Sequence, residues 1–351
     1  MDPGRASSKL MRCKPQDQHD GVVNEIALDP LVNRFVSGGA DGQVKLWDTK
    51  TVVCLWSSDR QLQSLVVDPF LKVSSALADG IIIGALNSGD IILWSSSTQF
   101  LSDDIFTPTS VTQHRIMSPI PKEDLSPQGA VVPKPKPNML CVRRHSQTKA
   151  ALLIGYSDHP FFYRIIVDLT SGAYEITTFG DPSLGNNSIV KSVFAALPDD
   201  CNFVITGSQL GSIGVYDWDT PQTSPSVTPA RRCEADEDGA VTALAWSSLV
   251  LASGFASGAT VIWDALTFER LRLFWSPIPH AAPGREVGGV SSIVVAEELL
   301  IIVVGNRVMS WKVGAVHSRD APRKGKHTRA RKNPLSKGQR MHVLIAMLVV
   351  D

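Results

Sequence analysis

The chain has 351 residues, with 34 Lys+Arg against 34 Asp+Glu, so its formal net charge is zero and the molecule as a whole is not built to bind a polyanion. A hydrophobic fraction of 43% and a charged fraction of 19% exclude a disordered polyelectrolyte and fit a globular chain. The five cysteines, Cys13, Cys54, Cys141, Cys201 and Cys233, are scattered without a CxxC pair, which argues against a zinc site or a disulfide framework and fits a reducing compartment. The opening "MDPGRASSKLMRCKPQDQHDG" lacks the apolar core of a signal peptide, and no apolar run approaches the ~20 residues of a membrane helix. The expectation is a cytoplasmic or nuclear protein with no membrane segment.

In chain order, the first strand signal is "VVNEIALDP". It is followed by "FVSGGADGQVKLWDTK", Phe35 to Lys50, in which a glycine turn separates two alternating runs and the second ends in Trp-Asp. The arrangement returns. "NSGDIILW" ends at Trp94, "QLGSIGVY" at Tyr216, "ASGATVIW" at Trp263 and "GNRVMSW" at Trp311. Five positions before each aromatic stand Gly42, Gly89, Gly211, Gly258 and Asn306, the residue types that tolerate positive φ in a tight hairpin. "LQSLVVDP", "IVKSVFAAL", "AVTALAWSS" and "VSSIVVAEE" are predicted inner strands for the later hairpins, and "VVCLWSS", "AYEITTFG" and "LRLFWSP" outer strands. A sixth unit lies between Asn138 and Asp181, where Val167-Asp168 replaces Trp-Asp after the longer turn "YSDHP". The aromatics recur at 47 residues (Trp47 to Trp94, Tyr216 to Trp263) and 48 (Trp263 to Trp311), a period that marks β-propeller blades.

These residues resemble the WD40-repeat family, with Trp47-Asp48 and Trp263-Asp264 as literal WD pairs. The resemblance covers roughly residues 18–315. It implies an all-β, WD40-type β-propeller with six recognisable blades over 18–316, either six closed or an incomplete seven. It also implies a buried chain of hydrogen bonds in the first unit, from a loop His19 through Ser37 and the turn Asp41 to Trp47. The physical demand behind it is the single indole N–H, which needs an acceptor once buried. Elsewhere Ser88 and Ser257 replace the turn aspartate, and Lys312 follows Trp311. The last unit shows three strands, and two segments are candidates for its fourth: "SKLMRCK" (Ser8 to Lys14), within the N-terminal segment 1–17, and "HVLIAMLVV" near the other end. Closure of the ring would remove exposed strand edges.

Residues 97–137 form a Ser/Pro-rich insertion that cannot bury a core of its own. Part of it, "FLSDDIFT", is a candidate outer strand for the second blade. Ser-Pro and Thr-Pro pairs begin at Thr107, Ser118, Ser126, Thr220, Ser224 and Thr228, where phosphorylation would add charge to a loop. Residues 317–351 are expected to be a disordered basic tail. Its stretch "RDAPRKGKHTRARKNPLSKGQR", residues 319–340, reads as a nuclear-import or polyanion-binding segment or as a solvated linker.

No catalytic pattern emerges. The eight histidines show no HExxH or HxH spacing, and there is no GxSxG elbow or Walker loop, so no metal, cofactor or small-molecule substrate is expected. Candidate partner-binding positions are Asp158 and His159 in the "YSDHP" turn, and Arg231 and Arg232 beside an acidic run. The expected function is a non-catalytic scaffold for protein or peptide partners. Its similarity to fungal F-box/WD proteins implies substrate recognition in a cullin-type ubiquitin ligase, although no F-box-like segment precedes Gln18. The alternative is a nucleic-acid- or chromatin-associated factor that uses the basic tail.

Overall fold

The computed structural model describes residues 11–29, 33–58, 67–96, 111–120, 135–157, 159–181, 190–196, 203–222, 225–234, 239–247, 249–276, 288–296, 299–313 and 343–349, with backbone alone for 190–196, 312–313 and 343–349. Among them are two short 3-10 turns, Pro15–Asp17 and Leu77–Asp79, no α-helix, and six four-stranded sheets. The first sheet comprises β1 (Val23–Asp29), β2 (Arg34–Gly39), β3 (Val44–Asp48) and β4 (Cys54–Ser57). The second comprises β5 (Phe70–Ala76), β6 (Ile81–Leu86), β7 (Ile91–Ser96) and β8 (Val111–Ile116). The third is β9 (Pro137–Arg144), β10 (Lys149–Tyr156), β11 (Phe162–Asp168) and β12 (Tyr174–Phe179). The fourth is β13 (Val190–Ala196), β14 (Phe203–Ser208), β15 (Ser212–Asp217) and β16 (Arg231–Glu234). The fifth is β17 (Val241–Trp246), β18 (Val250–Phe255), β19 (Thr260–Asp264) and β20 (Arg270–Phe274), and the sixth β21 (Val290–Ala296), β22 (Leu299–Val304), β23 (Arg307–Val313) and β24 (Val343–Val349). In each, neighbours in sequence are neighbours in the sheet, the simplest result of hairpin connections.

Three strand expectations are corrected. The inner strand of the second sheet is Phe70–Ala76, not "LQSLVVDP". The apolar run before Asp68-Pro69 imitates the end of β1, but the strand begins beyond the proline, whose ring removes a ladder donor. The second sheet's outer strand is Val111–Ile116, not "FLSDDIFT", which lies outside the described residues. "VTQHRI" is polar between β-branched ends, Val111 and Ile116, as suits the outer edge of a sheet. The fourth strand of the sixth sheet comes from residues 343–349, paired with β23 from Arg307↔Val349 to Val313↔Val343, so the tail is not uniformly irregular. Of the rival segment 8–14, residues 8–10 lie outside the described residues and 11–14 are not in a strand.

The hairpin between the second and third strands obeys the glycine expectation where a turn of several residues closes it: φ is +69° at Gly42, +91° at Gly89, +86° at Gly211 and +81° at Gly258. The sixth sheet differs. Val304 pairs directly with Arg307, leaving a two-residue turn, and the positive φ (+58°) falls on Gly305 rather than Asn306. Such a turn with glycine first and one positive φ is the II′ type suited to strand twist.

The chain divides into two compact units, Met1–Ile205 with Gly214–Arg232, and Thr206–Ile213 with Cys233–Asp351. In the first unit, Val36, Val44, Phe70, Val73 and Trp94 fill the space between the first and second sheets, and Ile83, Ala85, Leu140 and Leu152 that between the second and third. A third cluster joins Phe162 and Phe179 to Tyr216, Trp218 and Val227. In the second unit Ala243, Ala252, Val290, Ile293 and Trp311 pack the fifth and sixth sheets together.

One packing device recurs. In five sheets the pairing of the first two strands slips by one residue near the start of the inner strand, at Val23/Glu25, Phe70/Lys72, Val241/Ala243 and Val290/Ser292, and in the third sheet at Gly155/Tyr156 opposite Pro137. In the second, third and sixth sheets the bulge turns the first inner-strand residue, and the one three places on, toward the preceding sheet. That sheet carries a small residue there. A Cβ on Gly38 would lie 2.6 Å from Val73 Cγ1 and 3.1 Å from Phe70 Cβ, and one on Gly254 only 2.4 Å from Val290 Cγ1. Ala85 meets Leu140 in the same core.

Candidate functional site

The first hairpin carries the most developed polar network. Trp47, 5% exposed, donates its indole N–H to Ser37 Oγ at 2.7 Å. Ser37 Oγ lies 2.7 Å from His19 Nε2, and His19 Nδ1 lies 2.9 and 3.0 Å from the two Asp41 oxygens. Because a carboxylate only accepts, Nδ1 carries the proton toward Asp41, and Ser37 Oγ, which accepts from the indole, shares the second hydrogen bond with Nε2. The order is therefore Trp47, Ser37, His19, Asp41, which corrects the expected placement of Asp41 next to the indole. Asp41 also accepts the backbone N–H groups of Asp20 (3.0 Å) and Gln43 (3.1 Å), so one carboxylate ties the loop at residues 19–20 to the hairpin turn. Burial by itself would raise the pKa of Asp41. The His19 hydrogen bond, the two backbone donors and the charge interaction with His19 together hold it below its ordinary value. Lys45 fastens the same segment by donating to the carbonyls of Asp17 (3.0 Å) and Gln18 (2.8 Å).

Other units meet the same demand in shorter ways. Trp263 donates to Ser253 Oγ at 2.9 Å, and Trp94 to Gln113 Oε1 at 2.9 Å. Ser88 and Ser257, standing where Asp41 does, accept the N–H two residues on at 3.4 Å each. Trp311 is 9% exposed and packs on Phe274 with ring centroids 4.8 Å apart.

The aspartates after the third-strand aromatics do work that the sequence reading did not assign. Asp48, Asp168 and Asp264 each accept backbone N–H groups two and three residues on. The residue four places on is left-handed in every case: Val52 (φ +55°), Gly172 (+72°) and Phe268 (+56°). Its N–H returns to the aspartate carbonyl at 2.9 Å each time. The Ser171 backbone bond, with the Thr170 and Ser171 hydroxyls, brings Asp168 down to about 2. A recurring Asp with Gly four residues later would have been a legible signal in the third unit.

Arg143, Arg164 and Trp218, also unforeseen, cluster in the first unit. The Arg143 guanidinium lies 4.6 Å and that of Arg164 5.7 Å from the Trp218 ring, and Arg164 lies 5.5 Å from the Phe179 ring. Arg164 is 7% exposed and donates to Thr177 Oγ1 at 3.1 Å and the Thr220 carbonyl at 3.5 Å. Burial lowers both guanidinium pKa values, opposed by the charge of Asp219. The aromatic faces offset part of that burial cost.

Of the four expected partner-binding positions, three are described. Asp158 lies outside the described residues. His159 is half-buried rather than exposed: its Nδ1 accepts the Phe161 N–H at 3.3 Å, and its ring rests on Phe161 and Tyr163. Arg231 and Arg232 belong to strand β16, not to a loop, and Arg232 approaches Asp181 at 3.4 Å. Among the phosphorylation candidates Thr107, Ser126 and Ser224 lie outside the described residues, while Ser118 is half-buried and its N–H bonds Asp90 at 3.0 Å. Burial pushes the Cys141 thiol up to about 11 and raises Cys54 as well, the reverse of what a nucleophile needs. Among the described residues no group of three or more His, Cys, Asp or Glu side chains is placed to hold a metal, and no helix is long and apolar enough to cross a membrane.

Residues 11–48 match the WD40 family (WD domain, G-beta repeat). No curated protein sequence matches significantly. Among solved structures, the crystal structure of the computationally designed Ika8 protein (crystal packing No.1 in P63) is similar to 84% of this chain and 71% of its own, with 20% identity and a TM-score of 0.52, a likeness of fold alone. The matched segment contains His19, Ser37, Asp41 and Trp47, and its four-stranded antiparallel sheet recurs along the chain. Residues 11–48 are thus a WD40 repeat, and five further four-stranded antiparallel sheets follow the one they open.

Proposed function

We propose that this chain is a non-catalytic scaffold that holds a protein or peptide partner on its rim loops and acts in the cytoplasm or nucleus. The observation that carries the reading is the loop fastening at the first sheet, where Asp41, His19 and Lys45 fix residues 17–20 against the hairpin. Loops ordered before binding lose little entropy when they grip a partner. WD40 domains generally act in this way, through protein contacts rather than chemistry. Within this class, the sequence resemblance to F-box/WD proteins supports substrate recognition in a ubiquitin-ligase complex. The basic stretch 319–340 supports the alternative of a nucleic-acid- or chromatin-associated factor.

The test is affinity purification with mass spectrometry, using the full chain, a form lacking 319–351 and an Asp41→Ala form. The proposal expects protein partners that survive loss of the tail and weaken with Asp41→Ala. Recovery of nucleic acid alone, lost with the tail, would establish the alternative. Cullin subunits among the tail-independent partners would select the ligase assignment.

A further inference from the structure

Trp47, Trp94 and Trp263 each give their buried indole N–H to a side-chain oxygen. Trp218, 1% exposed, differs: its Nε1–H has no acceptor among the described residues. The same holds for the Nε–H of Arg164, a residue 7% exposed. Only Nη2 of that guanidinium is bonded, to the neutral oxygens of Thr177 and Thr220, and Arg164 forms no ion pair among the described residues. The two donors share one neighbourhood, since the guanidinium lies 5.7 Å from the Trp218 ring centre. Arg164, Thr177, Trp218 and Thr220 all fall in the first compact unit, so the cluster is complete within it. A buried N–H without an acceptor is costly, and most costly on a cation. What such a pair of donors fits is an anionic group with several oxygens.

The chain carries a source for that group beside them. Thr220 stands two residues after Trp218, and its carbonyl is the one that Arg164 reaches at 3.5 Å. It is half-buried, its hydroxyl makes no hydrogen bond among the described residues, and Pro221 follows it. A phosphate formed there needs no channel from bulk water to donors that the protein closes off. The connection is also laid along β12. Gln222 Oε1 accepts the Thr178 N–H at 3.0 Å, Val227 bonds the backbone of Thr178 (2.8 Å) and Gly180 (3.0 Å), and Ser226 Oγ donates to the Gly180 carbonyl at 3.0 Å. Of the charges around Arg164, Arg143 adds a second cation over the Trp218 ring, while Asp217 and Asp219 are exposed and screened by water.

We infer that Thr220 is a phosphorylation site and that Arg164 and Trp218 receive its phosphate in cis, fastening the connection after β15 to the third sheet. A proline-directed protein kinase transfers the γ-phosphoryl group of ATP to Thr220 Oγ. The new O–P bond replaces the bridge to ADP, and the hydroxyl proton leaves to the kinase's base. The phosphate oxygens then accept from Arg164 Nε–H and the indole N–H, charge-assisted bonds that a neutral carbonyl does not supply. The inference is independent of the scaffold reading.

Its first test incubates the full chain with ATP and a proline-directed kinase and maps the products by mass spectrometry. Phosphate at Thr220 is expected; modification of other Ser-Pro or Thr-Pro pairs with Thr220 untouched, or no modification, would overturn the assignment. The second test installs phosphothreonine at position 220 during synthesis and titrates it by phosphorus NMR. Its second pKa, about 6 for a free phosphate ester of this kind, should lie about one pH unit lower in the folded chain than in a peptide spanning 214–226. Arg164→Met should return it to the peptide value and Arg164→Lys only part of the way, with near-ultraviolet circular dichroism unchanged. A wild-type phosphate that titrates as the peptide does, or a lowered value that survives Arg164→Met, would sink the inference. Should Arg164→Met fail to fold, the comparison of the wild-type chain with the peptide decides alone.

Discussion

The first and fifth sheets carry the two literal Trp-Asp pairs, and their indoles are equally buried, Trp47 at 5% and Trp263 at 4% exposed. Both donate to a serine one strand away, at 2.7 and 2.9 Å. Beyond the serine they part. The first sheet continues to His19 and Asp41, whereas in the fifth the side-chain relay from the indole ends at Ser253 among the described residues and Ser257 caps the turn. Serine alone is thus enough to satisfy the core donor. The histidine and aspartate serve the loop, tying residues 19–20 to the turn at 41–43, so the two halves of the motif have separable roles.

The largest expected effect tests what the sheets share. Trp47→Ala and Trp263→Ala should each cost about 3–5 kcal/mol in denaturant unfolding; a loss under about 1 kcal/mol at either would place that ring outside the core. The sheet contact comes next. Gly254→Ala should cost about 1–3 kcal/mol by overpacking against Val290, and Val290→Ala in the same chain should recover part of that loss. Additivity of the two would show that the residues do not meet. The third test isolates the difference between the sheets. Ser37→Ala leaves a buried indole N–H unpaired and interrupts the path to His19, for about 1–3 kcal/mol, and should exceed Ser253→Ala, which affects the indole alone. Equal losses would mean that the histidine extension adds nothing.

Smaller effects come from the turns. Val52 and Phe268 hold a conformation that costs a β-branched or aromatic side chain about 1–2 kcal/mol, so Val52→Gly should stabilise by about 1 kcal/mol, while Gly172→Val should destabilise. The last concerns pH. Asp41 has a folded pKa below its ordinary 3.8, so its contribution is complete above that value and fades as the pH falls toward the lower one. Asp41→Asn should therefore flatten the acid limb of the stability profile below about pH 4 and leave its neutral region parallel to wild type.

What could be read from the residues is what depends on local rules. The hairpin glycines and buried aromatics were legible because positive φ and an indole donor restrict residue type wherever they occur. The inner strand of the second sheet was misplaced because Asp68-Pro69 repeats the Asp29-Pro30 pair that ends β1, and composition cannot tell a strand's end from its approach. In the last hairpin the turn is shorter, which moved the left-handed residue from Asn306 to Gly305. His19 and Asp41 were paired with the right hairpin through the family resemblance, but their order depends on which ring nitrogen faces the carboxylate. The Arg143, Arg164 and Trp218 cluster left no trace in spacing, since it joins residues from β9, β11 and the connection after β15.

Filling one sheet's glycine with another sheet's side chain also shapes how the sequence can drift. The fit at residue 254 is specified partly at residue 290, far along the chain, so a bulkier residue at the first site is tolerated only with a trimmed one at the second. Such sites should covary among relatives across the sheet boundary, while the turns and indole acceptors within each sheet drift independently. A lineage evolving this way keeps its layered packing as its repeats lose mutual similarity.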